Sequence, residues 1–586
     1  MKYVLMFLFI MPLRSQVIST TSIEISTLPV TINVVYPWEG KNIGNVSKTF
    51  IFGNVKPYVS TITINQFPVS VYKTGSFIYY LPVSKGDCKF NIVAKNEAGI
   101  STFTRTVICG EVNFNEINQQ NPFYLISPST YTEISGEDEL FISVKALKAT
   151  TIYYEIDGLC EGYLDENYAG SGIYNGRCYI EKKNKNSKHS LKLIYKSGKL
   201  KGKKRKFEDI IKINDNDYIV ETTTDNVVLR NNAGGYIMFM PKDVLLISDR
   251  KEGMKYRVKL GDIKLWVDAD KVNLKGFKTK LFNTETGTLR FSKIDQNKVS
   301  AKLAIYQKVP FSVWEDENKL YLELYYTNLR TNWVIYDSSD NFIDNVSFKQ
   351  EGSDKAIFSF SFNKNSKFWG YDISYSTDNL LNIDFKFKPE ISISTQPLKG
   401  LNIIIDPGHS PKRTPPYDGG VGPSGIYEWE ANLDIALKLK EKLENLGANV
   451  FMTRYTNDEK EQVPLQERPK IAKRLNGDLY LSIHNNAIPD GEDPYQKPRG
   501  FQIYYYHPHS KKLAESIHRS FLKNIDLFDE GLRFGDYHVA RLTAMPSVLI
   551  ENAYMILPEH EEMLMDSSFK DKLAKTIADG IVDFLK

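Results

Sequence analysis

The chain has 586 residues, too many for a single hydrophobic core, and this length predicts about three to five domains. Its composition, 42% hydrophobic and 25% charged, is that of an ordinary globular protein. A formal net charge of +4 is too small at this size to predict nucleic-acid binding.

The N-terminus reads MKYVLMFLFIMPLRSQ, in which Lys2 precedes an apolar stretch from Tyr3 to Leu13. This stretch is too short to span a bilayer and has the proportions of a secretory signal, which we predict over residues 1–16. A buried N-terminal strand is the alternative. Since no cysteine follows the signal and no later apolar run is long enough to cross a membrane, we expect an exported protein without a lipid anchor or a stable membrane span.

The chain contains four cysteines, and they form two local pairs in the sequence. Cys88 and Cys109 flank one strand-rich stretch, and Cys160 and Cys178 flank another. Two local disulfides agree with export, although four cysteines allow three pairings. No pair has CxxC spacing, which argues against a cysteine-based zinc site.

Short alternating runs rich in Thr, Ile, Val and Tyr predict a series of all-β domains in the first two thirds of the chain. Residues 22–112 resemble the immunoglobulin-like modules of exported bacterial enzymes. Residues 118–222 form a β-rich domain of unknown type. Its lysine-rich stretch, ending in KLKGKKRK, predicts either a solvated hairpin or attraction to an anionic polymer.

Two further β-rich regions follow. Residues 223–275, with the segments VVLR, YRVKL and WVDADKV, resemble a bacterial SH3-like barrel. Residues 276–392 contain short alternating strands such as KLYLELYY and AIFSFSF, and we interpret them as a targeting domain. The segment KPEISISTQPLKG then reads as a linker.

The pattern changes at Leu401. Apolar strand-like runs (NIIID, NVFMTR, DLYLSIH, FQIYYY and SVLIEN) alternate with helical segments, which we predict at 428–446, 465–475, 510–523 and 568–585. This alternation predicts an α/β sandwich with a mixed, largely parallel sheet over residues 401–586. The fold class is therefore multidomain, with N-terminal all-β modules followed by a C-terminal α/β unit.

Two histidines and two carboxylates are placed at the ends of these predicted elements. His409 follows the strand NIIID, His484 follows DLYLSI, Glu428 begins the first helix, and Glu551 ends PSVLIE. Because ligands of open α/β sheets bind beyond the carboxyl ends of the strands, we expect the four to converge. Two imidazoles and one carboxylate are a common catalytic zinc set, and a further carboxylate can act as the base.

The other histidines carry less weight. The chain has eight, of which seven follow residue 400. We expect five of these to be surface or loop residues: His507, His509, His518, His538 and His560.

The C-terminal motifs resemble the zinc-dependent N-acetylmuramoyl-L-alanine amidases of the large wall-hydrolase family. These motifs are IIIDPGHSP, GIYEWEANLDIALKLKEKLENLGANVFMTR, LQERPKIAKRLNGDLYLSIHNNA, RGFQIYYY and MPSVLIENAYM. The resemblance covers residues 401–586. It implies a peptidoglycan substrate, cleavage of the amide between N-acetylmuramic acid and L-alanine, and a role in wall remodelling or cell separation.

Carried over by position, the resemblance implies that His409, Glu428 and His484 bind Zn²⁺ and that Glu551 is the general base and then acid. Glu430 is the competing metal ligand. The family usually has a Gly-Phe pair after the general base, where this chain has NAYM, which puts substrate fit in question.

The resemblance also assigns substrate contacts and a location. Asn485 and Arg454 match family positions and are predicted substrate-binding residues, and Arg454 and Arg468 are equally good candidates for structural ion pairs. The implied location is the cell wall, either periplasmic or extracellular. The segment between His484 and Glu551 is turn-rich where some relatives insert an inhibitory helix, so we expect no such helix here.

Two other interpretations stay open. A zinc peptidase or deacetylase acting on the same wall would use similar chemistry. A non-catalytic wall-binding protein would need a broken ligand set, and this set is intact. The sequence does not indicate whether a protein activator is required. It also does not indicate which ligands the β-rich domains bind or which oligomer the protein forms.

Overall fold

The computed structural model describes residues 28–58, 60–110, 122–135, 137–148, 150–181, 186–197, 200–214, 216–277, 283–316, 318–391 and 395–586. The predicted signal at 1–16 lies outside these residues and stays a prediction. Among the helices of the described residues, none combines the length and the apolar character that crossing a bilayer requires.

The first described unit is built only of strands. Two sheets, ordered β1-β2-β5 and β4-β3-β6-β7, pack around one apolar core. Their bounds are β1 Thr31–Tyr36, β2 Lys48–Lys56, β3 Thr61–Ile64, β4 Phe67–Val69, β5 Ser76–Pro82, β6 Gly86–Asn96 and β7 Gly99–Cys109. The all-β prediction is confirmed for this region, and its assignment as immunoglobulin-like stays a prediction.

The second and third regions share one hydrogen-bonded sheet network. The second contains β8 Phe123–Ser127, β9 Thr132–Ser135, β10 Asp138–Ala146, β11 Thr151–Ile156, β12 Cys160–Glu166, β13 Ile173–Ile180, β14 Ser187–Ser197 and β15 Leu200–Asn214. The third contains β16 Tyr218–Thr222, β17 Val227–Arg230, β18 Tyr236–Met240, β19 Leu245–Glu252, β20 Lys255–Leu260, β21 Ile263–Asp268 and β22 Val272–Phe277.

The boundary between these two regions was expected after residue 222. Strand β16, just before that point, pairs with β19 and β22, which follow it. Strand β9 pairs with both β15 and β19 and so joins the two regions. Within the described residues, the lysine-rich stretch lies in the antiparallel strands β14 and β15, and attraction to an anionic polymer stays a prediction.

One of the two expected disulfides is present. Cys160 and Cys178 are bridged, whereas Cys88 and Cys109 are free thiols. The expectation of a second bridge is therefore wrong. Cys88 pairs across the β6–β7 ladder with Val107, two residues out of register with Cys109. The Cys109 thiol instead donates to the Val46 carbonyl oxygen at 3.3 Å.

A fourth β-rich region contains β23 Thr284–Lys293, β24 Lys298–Ile305, β25 Phe311–Glu315, β26 Lys319–Tyr325, β27 Thr327–Asn328, β28 Val334–Ile335, β29 Ile343–Glu351, β30 Lys355–Phe362, β31 Phe368–Tyr375 and β32 Leu380–Phe387. Its two sheets face each other, and their apolar core continues into that of the third region. We call the region from β23 to β32 the fourth β region.

The C-terminal unit is a mixed sheet flanked by helices, as predicted. The strand order is β34-β33-β35-β38-β36-β37, and all neighbours are parallel except β36 and β38. The strands are β33 Asn402–Pro407, β34 Asn449–Met452, β35 Leu479–Asn486, β36 Gly500–Tyr505, β37 Phe528–Phe534 and β38 Ser547–Tyr554. Apolar clusters cover both faces of the sheet.

Five α-helices lie within the described part of this unit: α1 Glu428–Asn445, α2 Glu467–Arg474, α3 Pro508–Asn524, α4 Pro558–Met565 and α5 Ser567–Leu585. Helix α1 buries Ile435, Leu439 and Leu443 completely, one stripe at helical spacing. Gly447, with φ +95°, follows the end of the helix in the left-handed conformation that glycine adopts without strain. The short polar helix α4 was not predicted, because it has no apolar period of its own.

Candidate metal centre

The first histidine of the site is fixed by the turn that ends strand β33. His409 has φ +62°, an uncommon conformation for a residue with a Cβ and one that is found at functional sites. Its Nδ1 lies 2.9 Å from Asp418 Oδ1, and Asp418 Oδ2 accepts from the Ser410 N–H at 2.9 Å. A carboxylate behind the ring orients its other nitrogen, Nε2, toward the site.

The second histidine lies at the end of the neighbouring strand β35. The His484 ring packs directly on the backbone of Gly408, where an added Cβ would be 2.3 Å from the His484 Nε2 and Cε1 atoms. Any side chain at residue 408 would therefore displace this imidazole. The two imidazole centroids of His409 and His484 are 4.9 Å apart.

Glu428 connects the two rings. Its Oε2 is 3.2 Å from His409 Nε2, and its Oε1 is 3.0 Å from His484 Nδ1. The N–H of Gly420 donates to Oε2 at 2.7 Å, and the N–H of Asn485 donates to Oε1 at 3.2 Å. The carboxylate is buried, with 4% of the side chain exposed. Its position at the first turn of α1 also places it at the positive end of the helix dipole.

The electrostatics of this arrangement favour a cation between the three side chains. Burial would by itself raise the pKa of Glu428, but the neighbouring His409 and His484 hold it well below its usual range. Burial would likewise lower the pKa of His409, but Glu428 and Asp418 raise it to about 10. The carboxylates that favour a proton on His409 also favour a metal ion in the same place.

The donor atoms fit a metal. One ligand atom each from His409, Glu428 and His484 lies within 4.8 Å of the others. Two imidazoles and one carboxylate form the set of catalytic zinc sites, which leave a position open for water or substrate. In agreement with an open position, 28% of the His409 side chain is exposed.

Glu551 lies beside this set. It is aligned with His484 in the parallel pairing of β38 and β35. Its Oε2 is buried and has no hydrogen-bond partner among the described residues. Burial, with the nearby charge of Glu428, raises the pKa of Glu551 well above its usual range. A buried carboxyl with one unused oxygen is suited to exchange protons with a bound molecule.

The structure adds residues that sequence reasoning did not select. Asp418 was missed because it lies in a Gly- and Pro-rich loop, nine residues after the histidine it orients. Asn432, one turn after Glu428, donates to Glu428 Oε1 at 3.3 Å and to the Gly408 carbonyl oxygen at 3.2 Å. The spacing of four residues on a predicted helix was the available signal for Asn432.

The predicted substrate-binding residues form hydrogen bonds with other groups of the protein in this structure. Asn485 is buried, and its amide donates to Asn432 Oδ1 at 2.8 Å. Arg454 is 2% exposed, and its Nη2 donates to the Trp429 carbonyl oxygen at 2.9 Å. Arg468 pairs with buried Asp406, as the structural interpretation of this arginine expected (Nη1 to Oδ1, 2.6 Å). A substrate-binding role for Asn485 and Arg454 stays a prediction.

Glu430 is directed away from the metal set. One of its oxygens accepts from the Tyr427 N–H at 3.1 Å, and the other lies 2.9 Å from Arg413 Nη2. It therefore caps the N-terminus of α1. Tyr554, in the divergent NAYM segment, is buried, and Gln502 donates to its hydroxyl at 3.1 Å.

Two of the other histidines lie in helices with buried side chains. His509 in α3 has 1% of its side chain exposed, and the Nδ1 of His560 in α4 accepts from the Tyr554 N–H at 3.2 Å. The expectation of surface or loop positions is wrong for these two. Their burial comes from contacts that no local pattern encodes. His507 lies in the loop just before α3, as that expectation allowed, with 13% of its side chain exposed.

The first β unit packs on the rim of the site. Asn54 donates to the Pro423 carbonyl oxygen at 2.8 Å, within the loop that joins His409 to Glu428. The Tyr36 hydroxyl donates to Asp490 at 2.7 Å, in the turn-rich segment after His484, which contains no helix between residues 487 and 499. Nine buried apolar side chains complete the contact: Val35, Phe50, Phe52, Ile78, Val421, Ile488, Tyr554, Ile556 and Leu557.

Known proteins match the same unit. Residues 403–583 match the family model described as N-acetylmuramoyl-L-alanine amidase. Over 194 residues the chain is 35% identical to the N-acetylmuramoyl-L-alanine amidase LytC of Bacillus subtilis, which covers 32% of this chain and 36% of LytC. Over 196 residues it is 32% identical to the probable cell wall amidase LytH of Staphylococcus epidermidis, covering 33% of this chain and 61% of LytH.

A solved structure, the amidase AmiC2 of Nostoc punctiforme, has 33% sequence identity and a TM-score of 0.29, and covers 32% of this chain and 98% of that one. The chain spans about a third to three fifths of the two curated relatives above. The matched segment contains His409, Glu428, His484 and Glu551. The C-terminal unit is thus similar in sequence to N-acetylmuramoyl-L-alanine amidases, and LytH is a probable cell wall amidase by name.

Proposed function

We propose that this protein is a zinc-dependent peptidoglycan hydrolase that cleaves the amide between N-acetylmuramic acid and L-alanine. The observation that carries the proposal is the convergence of His409, Glu428 and His484 beside the unpaired carboxyl of Glu551. The similarity of residues 403–583 to wall amidases supports this choice of bond over those cut by a peptidase or deacetylase.

The metal set and its supports have distinct tasks. His409, Glu428 and His484 would hold the zinc ion, and Asp418 would keep the His409 ring in the required orientation. Bound there, zinc supplies Lewis-acid polarisation of an amide carbonyl and makes water acidic enough to react near neutral pH.

Glu551 would move the proton. Its carboxylate takes a proton from the water that adds to the carbonyl carbon, which forms the new carbon–oxygen bond. When the carbon–nitrogen bond breaks, the protonated Glu551 gives that proton to the departing nitrogen of L-alanine. Because burial and the charge of Glu428 raise the pKa of Glu551, its carboxylate is a stronger base for the first transfer, and the acid formed there supplies the second.

The other regions would bring this unit to its substrate. An exported protein with several all-β regions fits a wall-associated enzyme, located in the periplasm or outside the cell. Because the first β unit borders the loops on both sides of the metal set, we propose that it forms one wall of the substrate cleft. A protein activator would be an additional partner.

Replacing Glu551 tests the proposal. Glu551→Gln keeps the side-chain shape but cannot accept a proton, so hydrolysis of purified peptidoglycan should fall by about 10²-fold or more. Zinc content, measured by mass spectrometry on the same sample, should be unchanged. Glu562→Gln, on an exposed glutamate of α4, is the matched control. Normal hydrolysis by Glu551→Gln would contradict its assignment as the general base.

A further inference from the structure

A second histidine–carboxylate cluster lies where the fourth β region meets the C-terminal unit. Glu315 ends strand β25, and His507 and His509 stand at the start of helix α3. One ligand atom from each lies within 4.8 Å of the others, the same limit that the catalytic set meets. Nothing in the proposed amidase chemistry uses these three residues.

The distances in this cluster are close to those of the catalytic set, although its two imidazole rings are stacked at 8° where those of His409 and His484 stand at 81°. Glu315 Oε1 lies 2.8 Å from His509 Nδ1 and 3.7 Å from His507 Nδ1. The imidazole centroids of His507 and His509 are 5.1 Å apart, compared with 4.9 Å between His409 and His484. Both rings therefore direct a nitrogen toward one carboxylate at a spacing that two ligands of one metal ion would have.

The hydrogen bonds around His507 leave a nitrogen that suits a metal. His507 Nε2 lies 3.0 Å from the Arg541 carbonyl oxygen, and since a carbonyl can only accept, Nε2 carries the hydrogen. A neutral His507 then has its lone pair on Nδ1, facing Glu315 at a distance too long for a hydrogen bond. A lone pair facing a carboxylate is stabilised by a cation between them, and a backbone carbonyl behind the ring is a usual support of a metal-binding histidine.

His509 is held by the same carboxylate. Its Nδ1 lies 2.8 and 3.0 Å from the two oxygens of Glu315, and since a carboxylate only accepts, Nδ1 carries the hydrogen of this contact. A metal ion bound between the two groups would take the place of that hydrogen. The Nε2 of His509 is buried without a hydrogen bond among the described residues. Phe368 and Tyr371 stand edge-on to the ring, with centroids 5.8 and 6.5 Å away. The recorded ion pairs of Glu315, in the part of the chain that the structure describes, are both with these histidines.

We propose that Glu315, His507 and His509 bind a second divalent metal ion of the zinc class, which ties the fourth β region to the C-terminal unit. Two imidazoles and one carboxylate suit Zn²⁺ and its first-row neighbours. The side chains of Glu315 and His509 are 3% and 1% exposed, so this ion would be structural.

The proposed metal ion would link the two regions together with polar contacts at the same junction. The Tyr371 N–H donates to the Thr543 carbonyl oxygen at 2.7 Å. Lys386 pairs with Asp478 at 2.7 Å across the same junction. An added Cβ on Gly370 would be 2.3 Å from the Thr543 carbonyl oxygen, which shows how closely the two backbones approach. A metal ion at this junction would hold the fourth β region in a fixed position against the C-terminal unit.

Metal stoichiometry of the full chain tests the proposal. Zinc is added to chelator-treated protein, excess is removed, and metal per chain is measured by inductively coupled plasma mass spectrometry. Two zinc ions per wild-type chain are expected, one in Glu315→Gln and one in His409→Ala. The matched control is His518→Gln, a histidine of the same helix whose Nε2 pairs with Asp529 at 2.8 Å, and it should retain both.

The outcomes separate the two metal sites. One zinc per wild-type chain that is lost in His409→Ala would overturn the second site and leave the amidase proposal standing. One zinc that is lost in Glu315→Gln instead would support the second site and contradict the catalytic set. Because the wild-type count depends on no substitution, a variant that fails to fold does not remove the test. For the wild type, anomalous scattering at the zinc edge should give a second peak between Glu315 and His507.

Discussion

The two histidine–carboxylate clusters contain the same residue types, and their surroundings differ. At the catalytic cluster 28% of the His409 side chain is exposed and Glu551 stands by with an unused oxygen. At the second cluster Glu315 and His509 are almost fully enclosed. A set of metal ligands therefore does not by itself make a catalytic site. Catalysis also needs access for the substrate and a neighbouring group that accepts a proton.

The largest effect is expected from removing a ligand of the catalytic cluster. His409→Ala should lose the zinc of that site and reduce peptidoglycan hydrolysis by at least about 10³-fold, because several kcal/mol of Lewis-acid stabilisation are lost. Product release and zinc content are measured on the same preparation. Hydrolysis at the wild-type rate in zinc-depleted His409→Ala would remove the distinction between the two clusters.

Gly408→Ala tests the catalytic cluster against the second cluster without replacing any metal ligand. Since the new Cβ would lie 2.3 Å from the His484 ring, the imidazole must move and metal binding should weaken by about tenfold or more. The measurement is zinc affinity by competition with a chromophoric chelator. An unchanged affinity would show that the packing of His484 on Gly408 does not position the ring. The second cluster, which has no such glycine contact, should keep its zinc.

Glu561 shows what happens to a buried carboxylate that has no histidine partner. The histidines keep the pKa values of Glu428 and Glu315 low in spite of burial. Burial raises the pKa of Glu561 to about 7, although Ser424 and Ser76 donate to its oxygens. The folded state therefore retains a proton that the unfolded chain releases near pH 4.5.

That raised pKa has a definite sign for stability. The contribution of Glu561 to the free energy of unfolding is complete below pH 4.5 and decreases as the pH rises to about 7, by roughly 3 kcal/mol. Glu561→Gln should remove this decrease, so the variant should be the more stable protein at pH 8 and similar at pH 4.5. Denaturant midpoints at both pH values provide the measurement, and parallel pH profiles for the two proteins would contradict the account.

The smallest effect concerns the carboxylate behind His409. Asp418→Asn removes the charge that orients the ring but leaves a hydrogen-bond acceptor, and zinc affinity of the catalytic cluster should decrease by about tenfold, the lower end of the effect for such a support. Asp458→Asn, on an exposed aspartate of the loop that follows β34, serves as the control. Equal zinc affinities in the two variants would mean that Asp418 does not support the metal site.

The sequence predicted that His409, Glu428, His484 and Glu551 converge, because each stands at the end of an apolar strand-like run or at a helix start. In the structure His409 lies just beyond β33, and His484 and Glu551 lie in the C-terminal halves of the parallel strands β35 and β38, so the three meet at one sheet edge. The long helices were predicted from a different signal, the clear helical period of their apolar residues.

The second cluster could not be predicted in this way. Glu315 lies about 190 residues before His507, in a different region, and no local period records that the two meet. The same reason explains the misplaced histidines and the missing Cys88–Cys109 bridge, which depend on packing and register between strands. The identity of the N-terminal β regions likewise rests on resemblance, because short alternating strands are common to many all-β folds.

The central claim is that the C-terminal unit cuts one particular bond with the help of a metal. The most direct measurement is mass spectrometry of purified peptidoglycan after incubation with the full chain, with and without a zinc chelator. The account predicts free stem peptides that begin with L-alanine, released only without the chelator. Cuts between amino acids of the stem, removal of acetyl groups, or release that the chelator does not affect would contradict it.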